Sequence, residues 1–292
     1  MNSSSNQLSI RADLPLDPLI ATVLLDIDAL LRRAQLRYML VGATARDLLL
    51  HHVWGHRITR ATRDLDFAFM VDSWAKFQEV KQMLLETPGF VDRGRQVQRL
   101  YYQPPGFDVE AIIDVIPFGG LATDGQTIAW PPDQDVVMNV TAFTDVFASA
   151  VAIQIAETRW IPVASLAGLS VLKLFAWLDR HDPRDAADLQ RFMETYADAG
   201  NTERLYESEV EELARVSYDI ELAGAYLLGK DAHLLTHETT RTQLVAAFSE
   251  RAVDSLIVAM ARTRSLSLED HSQRSADLLS GLLRGLHLRS NM

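Results

Sequence analysis

The sequence predicts an α/β (α+β) chain. A small mixed β-sheet flanked by helices occupies residues 16–161, an all-helical C-terminal domain occupies residues 162–292, and residues 1–15 form a flexible tail. Three observations carry this. Residues 38–85 alternate apolar, strand-like runs with helix-compatible segments, and residues 96–117 read as a hairpin. Beyond Trp160-Ile161-Pro162-Val163 the apolar residues recur at helical spacing almost to the end, which sets the boundary near Ile161.

The elements follow in order. Residues 16–36 place Leu19, Ile20, Val23, Leu24, Ile27, Leu30 and Leu31 on one broad helical stripe, suited to covering one face of a sheet. Residues 38–41 are an apolar strand, Gly42 a tight turn, and residues 45–52 a helix. A second strand runs over residues 64–71, headed by Asp64-Leu65-Asp66, and a helix over residues 74–85 ends at Thr87-Pro88-Gly89. The hairpin 96–117 turns at Pro104-Pro105-Gly106, residues 119–132 read as a loop around Asp124-Gly125, and short strands fall near 136–140 and 151–156. In the second half, residues 166–178 form a helix, and Asp182-Pro183 opens another with Asp182 as N-cap and Pro183 at the first helical position. Helices follow over 202–216, 219–228, 239–263 with a break, and 268–286.

Composition narrows the function classes. Hydrophobic residues at 48% and charged residues at 23% are ordinary globular values. No stretch reaches the roughly 18 to 20 apolar residues of a membrane span, and the polar N-terminus lacks an apolar signal core, so a cytoplasmic protein without a membrane partner is expected. The absence of cysteine excludes disulfides, thiolate zinc sites and a cysteine nucleophile. With 39 acidic against 28 basic residues the net charge is -11, so a nucleic-acid partner would need a local basic patch.

The chemistry concentrates in residues 38–71. In a strand, residues i and i+2 share a face, so Asp64 and Asp66 project two carboxylates side by side. Their repulsion calls for a positive charge, and Mg2+ is commonly held by one or two carboxylates together with phosphate oxygens. Asp114, between Ile113 and Val115, is costly in so apolar a strand unless charged partners or a metal compensate. Asp108 and Glu110 share its face and compete with it as the third carboxylate; its flanks are the most apolar. Gly42 opens a helix N-terminus, which suits phosphate. Arg57, Arg60 and Arg63 either contact phosphate or the acceptor or belong to a plain exposed loop.

Gly42, Asp64, Asp66 and Asp114 together resemble the signature of the polymerase-beta-like nucleotidyltransferase superfamily, in which a Gly-Gly or Gly-Ser turn opens a helix and three carboxylates follow on neighbouring strands. The resemblance implies two Mg2+ ions on Asp64, Asp66 and Asp114, with Asp114 also helping to activate the acceptor, and an NTP whose phosphates lie against Gly42, Ala43 and Thr44. Ala43 departs from the pattern, and Thr44 carries the nearest hydroxyl. Residues 42–49 also resemble the Gly-Gly-x-Val-Arg-Asp-x-Leu segment of tRNA CCA-adding enzymes, which implies a role for Arg46 in shaping the nucleotide site. The later motifs of those enzymes are not apparent.

Residues 173–189 resemble the Lys-x-x-Ala-x-x-x-Arg and Asp-x-x-Asp-Leu segment of AbiEii-type nucleotidyltransferases, many of them toxins of toxin–antitoxin or phage-defence systems. That resemblance implies nucleotide contacts from Lys173, Arg180 and Asp185, with Lys173 offsetting charge in the transition state. Lys173, Trp177 and Arg180 fall on one helical stripe; Asp185 suits the helix dipole as well as a site. An unpartnered Lys173 among Leu172, Leu174 and Phe175 would be costly to desolvate, so its removal is expected to leave the nucleotide-free protein as stable or more so. The implied reaction moves an NMP from an NTP to an acceptor hydroxyl, on tRNA or a small molecule, with an antitoxin as a partner. The alternatives are an aminoglycoside-type adenylyltransferase and an inactive nucleotide- or partner-binding module, which Ala43 favours.

Overall fold

The computed structural model describes residues 7–58, 62, 64–94, 96–122, 125–262 and 268–288. The chain divides between Ser165 and Leu166 into two units. The first contains β1 (Gln7–Ser9), α1 (Pro18–Arg33), β2 (Tyr38–Val41), α2 (Gly42–Asp47), β3 (Asp64–Met70), α3 (Trp74–Leu85), β4 (Phe90–Val91), β5 (Arg99–Tyr102), β6 (Ala111–Phe118), β7 (Thr127–Ala129), β8 (Val137–Asn139), α4 (Phe143–Ala148), β9 (Val151–Ala156) and β10 (Arg159–Val163). Helix α2 runs on into a π-helical segment, Leu48–Val53.

The sheet is mixed, as expected, but larger than the small one the sequence suggests. Eight strands lie in the order β1-β9-β10-β2-β3-β6-β5-β4, and β7 with β8 forms a separate pair. The sheet gains three short strands. Residues 7–9, expected within a flexible tail, pair in parallel with β9, and β4 extends the hairpin edge. The exit segment around Trp160 is itself a strand, β10, continuing to Val163, which carries the end of this unit to Ser165. The loop expected over 119–132 contains β7; Asp124 lies outside the described residues.

Alternation along the central strands separates a core face from a half-exposed one. Leu65, Phe67 and Phe69 of β3, Leu100 and Tyr102 of β5, and Ile113 and Val115 of β6 are buried, while Asp64, Asp66, Arg99, Ile112 and Asp114 are half-buried. Helix α1 packs on the core face. The Tyr38 hydroxyl donates to Asp28 at 2.6 Å and the Tyr102 hydroxyl to Asp26 at 2.7 Å. Tyr38 is in register with Phe69, so both tyrosines project away from Asp64 and Asp66. The apolar stripe of α1 buries Val23, Leu24, Ile27 and Leu31, and Asp17 caps its start by accepting from the Leu19 N–H at 2.8 Å. Among the described residues no helix is long and apolar enough to cross a membrane.

The second unit is helical: α5 (Leu166–Arg180), α6 (Pro183–Thr195), α7 (Thr202–Glu207), α8 (Val210–Arg215), α9 (Ile220–Leu235), α10 (Glu238–Ala247), α11 (Glu250–Ala261) and α12 (Leu268–Gly285). Helices α9 and α12 touch backbone to backbone. A Cβ on Gly229 would lie 2.1 Å from the Leu282 carbonyl oxygen, and one on Gly285 would lie 2.1 Å from that of Tyr226. Arg274 of α12 ties the start of α9 by bonding Asp219, itself the cap for the Leu222 N–H.

The expected cap of α6 is present: Asp182 accepts from the Arg184 N–H at 2.9 Å. Side-chain bonds from Arg184 hold the Asp182 carboxyl down at about 2. Asp182→Ala is expected to cost about 1 kcal/mol at neutral pH. A depressed carboxyl stabilises above its unfolded value, about 3.9, and loses that effect as pH falls toward 2. Melting temperatures of wild type and variant should therefore differ at pH 6 and converge near pH 2; a gap that persists in acid would assign the loss to something other than this carboxylate.

Candidate active site

The turn between β2 and α2 is closed onto β3. Gly42 adopts φ +71°, in the left-handed region, and a Cβ on it would lie 2.0 Å from Oδ2 of Asp66. Only glycine allows both the backbone conformation and the approach of the carboxylate. Ala43 follows, half-buried, and Val41 at the N-cap position provides no side-chain acceptor for the first N–H groups of α2.

The Thr44 hydroxyl, expected at the phosphates, instead donates to the Asp64 carbonyl oxygen at 2.7 Å and is buried. The Asp64 N–H in turn donates to Thr62 Oγ1 at 3.3 Å, so two threonines hold the backbone at the head of β3. Arg46 is likewise buried, bonded to Asp47 at 2.7 Å, and braces α2 from inside. A pocket of about 140 Å³ lies beside α2, lined by Asp17, Thr44, Asp47, His52 and Thr62 among others. Burial holds the His52 imidazole below its ordinary value, and its Nδ1 lies 2.8 Å from the Leu14 carbonyl oxygen.

Register brings the acidic positions together. Asp66 stands opposite Asp114 on the parallel strand β6, and Asp114 stands opposite Arg99 on the antiparallel strand β5. Directly opposed residues share a face, so Asp66, Asp114 and Arg99 form one row, with Asp64 a step away on the same face. Of the competing third carboxylates, Asp108 and Glu110 lie outside β6. Glu110 pairs with Arg93 at 2.7 Å, and the Arg93 guanidinium lies 4.0 Å from the centre of the Tyr101 ring.

Arg99 is the residue that sequence reasoning missed. Its guanidinium grips Asp114 at 2.8 and 2.6 Å and lies 3.6 Å from Asp64 Oδ2. The bonds it donates to Asp114 raise the guanidinium further above its ordinary value. Alternation alone sets Arg99 and Tyr101 on one face, but pairing Arg99 with Asp114 requires the register across residues 103–110, which a connection of that length does not fix.

Asp64 and Asp66 fit one divalent ion: they are adjacent, half-exposed, and the missing Gly42 side chain leaves room at Asp66. A second ion fits less well. Asp114 is engaged by Arg99, and among the described residues no three carboxylate or imidazole groups gather as a metal site. Arg57 is exposed, whereas Arg60 and Arg63 lie outside the described residues.

In the helical unit, Lys173 and Arg180, on one stripe of α5, both meet Asp185 of α6, and Lys173 also meets Asp188. The Lys173 ammonium lies 2.8 Å from Asp185 and 2.7 Å from Asp188, and Arg180 binds Asp185 at 2.6 and 2.8 Å. The expected unpartnered lysine is thus corrected: α6 supplies two carboxylates, one fully buried, and removal of Lys173 strips a counter-charge from both. Burial pushes the Asp185 carboxyl up, but the Arg180 bonds and the Lys173 charge outweigh it and hold it below its ordinary value.

The model of a family described as "Nucleotidyl transferase AbiEii toxin, Type IV TA system" matches residues 28–277. No curated protein matches the sequence. Among solved structures, the antibiotic-resistance factor ANT(2'')-Ia in solution is 16% identical, over 70% of this chain and 97% of its own, with a TM-score of 0.38. An antigenic nucleotidyltransferase-like protein from Paracoccidioides brasiliensis is 15% identical, over 69% and 93%, with a TM-score of 0.42. ANT(2'')-Ia in complex with adenylyl-2''-tobramycin is 16% identical, over 68% and 96%, with a TM-score of 0.36.

Proposed function

Because the chain belongs to the AbiEii nucleotidyl transferase family, we propose that it moves a nucleoside monophosphate from a Mg2+-bound NTP to an acceptor hydroxyl, releasing pyrophosphate. The observation that carries this reading is the pairing of Asp64 and Asp66 on a half-exposed sheet face directly beneath a side-chain-free Gly42. A divalent ion held by Asp64 and Asp66 would neutralise phosphate charge and make the phosphorus under attack more electrophilic.

The remaining work falls to the chain itself. The backbone N–H groups of Ala43 and Thr44, at the start of a helix without a side-chain cap, suit phosphate oxygens. This contact needs no hydroxyl, so Ala43 does not disable it. Asp114 lies next to Asp66 in the row, and a carboxylate offers about four lone-pair positions. Arg99 engages two of them, and the others can accept a bond from the acceptor hydroxyl and orient it. Lys173, Arg180 and Asp185 are assigned to the stability of the helical unit.

We infer tRNA as the acceptor, which on a chain of net charge -11 requires a local basic patch, and, from the family's description as a type IV toxin, an antitoxin as the functional partner. Incubation with each α-labelled NTP, Mg2+ and either total RNA or the low-mass fraction of a lysate tests this. Label on RNA, abolished by EDTA, is expected. Label confined to low-mass products would overturn the RNA acceptor, and Mg-NTP binding without transfer to any acceptor would overturn the activity.

A further inference from the structure

We propose that Arg99 takes the place of one of the two divalent ions that a three-carboxylate transfer site would otherwise hold: the chain binds a single ion, at Asp64 and Asp66, and Arg99 is the permanent counter-charge of Asp114. The inference rests on the transfer reading above and specifies how its site is charged. Two features support it.

The first is geometry. Both oxygens of Asp114 are bonded to the guanidinium, at 2.8 and 2.6 Å, and the same group lies 3.6 Å from Asp64. An ion coordinated through the remaining lone pairs of Asp114 would sit directly beside the guanidinium, cation against cation. The second is rigidity. Arg99 is anchored in β5 between its register partner Asp114 and the buried Leu100, so the guanidinium is built into the sheet and does not reach in from a loop. An arginine also keeps its charge at any working pH.

Arg99 therefore acts as a positioning residue: it holds Asp114 in the row beside Asp66 without a second metal.

Counting bound Mn2+ on the full chain by electron paramagnetic resonance tests this, alone and with each of the four α,β-methylene NTP analogues. Wild type is expected to bind one ion per chain, and Asp64→Asn to lose it. Arg99→Gln, which keeps a donor but drops the charge, is expected to gain a second site at least tenfold tighter than any second site of the wild type. Arg99→Lys should restore the count to one. Two comparably tight ions on the wild type would overturn the proposal and leave the transfer reading standing, whether or not Arg99→Gln folds. A folded Arg99→Gln that still binds one ion would also overturn it. No ion on the wild type under any condition would overturn both readings.

Discussion

Asp66→Asn is expected to lower nucleotidyl transfer by about 1,000-fold, the scale of losing a preorganised electrostatic contact at a reacting group, with little change in melting temperature. The side chain is half-exposed and asparagine keeps its size, so the fold is expected to tolerate the change. Gly42→Ala should reproduce most of this loss without altering any charge. The new methyl group would lie 2.0 Å from Asp66 Oδ2, and alanine at φ +71° carries an added backbone cost of about 1–2 kcal/mol. The carboxylate, the turn, or both must shift. Because the two substitutions act on one contact, the double variant should be little worse than Asp66→Asn alone. Calorimetric titration of Mg-NTP separates binding from chemistry: full Mg-NTP affinity and turnover in Gly42→Ala would show that the close approach has no functional role, and unchanged affinity in Asp66→Asn would remove the metal assignment.

Lys173→Ala is expected to destabilise the protein by about 3–5 kcal/mol, the range for removing one partner of a buried ion pair. Lys173 lies between Asp185, which is fully buried, and Asp188, of which 5% is exposed. Arg180 remains to partner Asp185, so the loss comes mainly from removing the ammonium that lies between two buried carboxylates. The acid limb tests the same assignment. Since the Asp185 carboxyl is held below its ordinary value, its stabilising contribution is complete above the unfolded value, about 3.9, and fades as pH falls through the lower folded one. Urea titrations from pH 7 down to pH 2 should show the wild-type advantage over Lys173→Ala shrinking through that window. A variant as stable as wild type at pH 7 would return Lys173 to the list of nucleotide contacts.

What was legible in the sequence was whatever short-range pattern determines. The strand 38–41, the Gly42 turn, the helix 74–85 and the Asp182 cap are local, and each has its own signal: an apolar run, a glycine, a Thr-Pro-Gly stop, an Asp-Pro start. Asp114 was found because an acid between Ile113 and Val115 is anomalous on its own. Arg99 was not, because an arginine on a half-exposed strand face is unremarkable until the register sets it against that acid. Lys173 shows the same limit from the other side. Its apolar neighbours signalled burial, but its partners lie on the next helix, and whether a buried charge is costly or satisfied depends on residues brought near only by folding. Thr44 was identified by position, and its engagement with the Asp64 carbonyl could be read only from the closed turn. The short strands β1, β4 and β7 carry too few residues for alternation to register.

The glycine contact between α9 and α12 bears on how the helical unit is assembled. Gly229 and Gly285 must meet at backbone distance, yet the whole of α10 and α11 separates them along the chain. During synthesis α9 emerges before the α12 backbone against which Ala225, Tyr226 and Gly229 pack. Closing so long a loop precedes any stabilisation from the contact, so this junction is expected to form late and to slow folding of the unit. A nascent chain stopped before α12 would leave that side of α9 uncovered and open to chaperones and proteases.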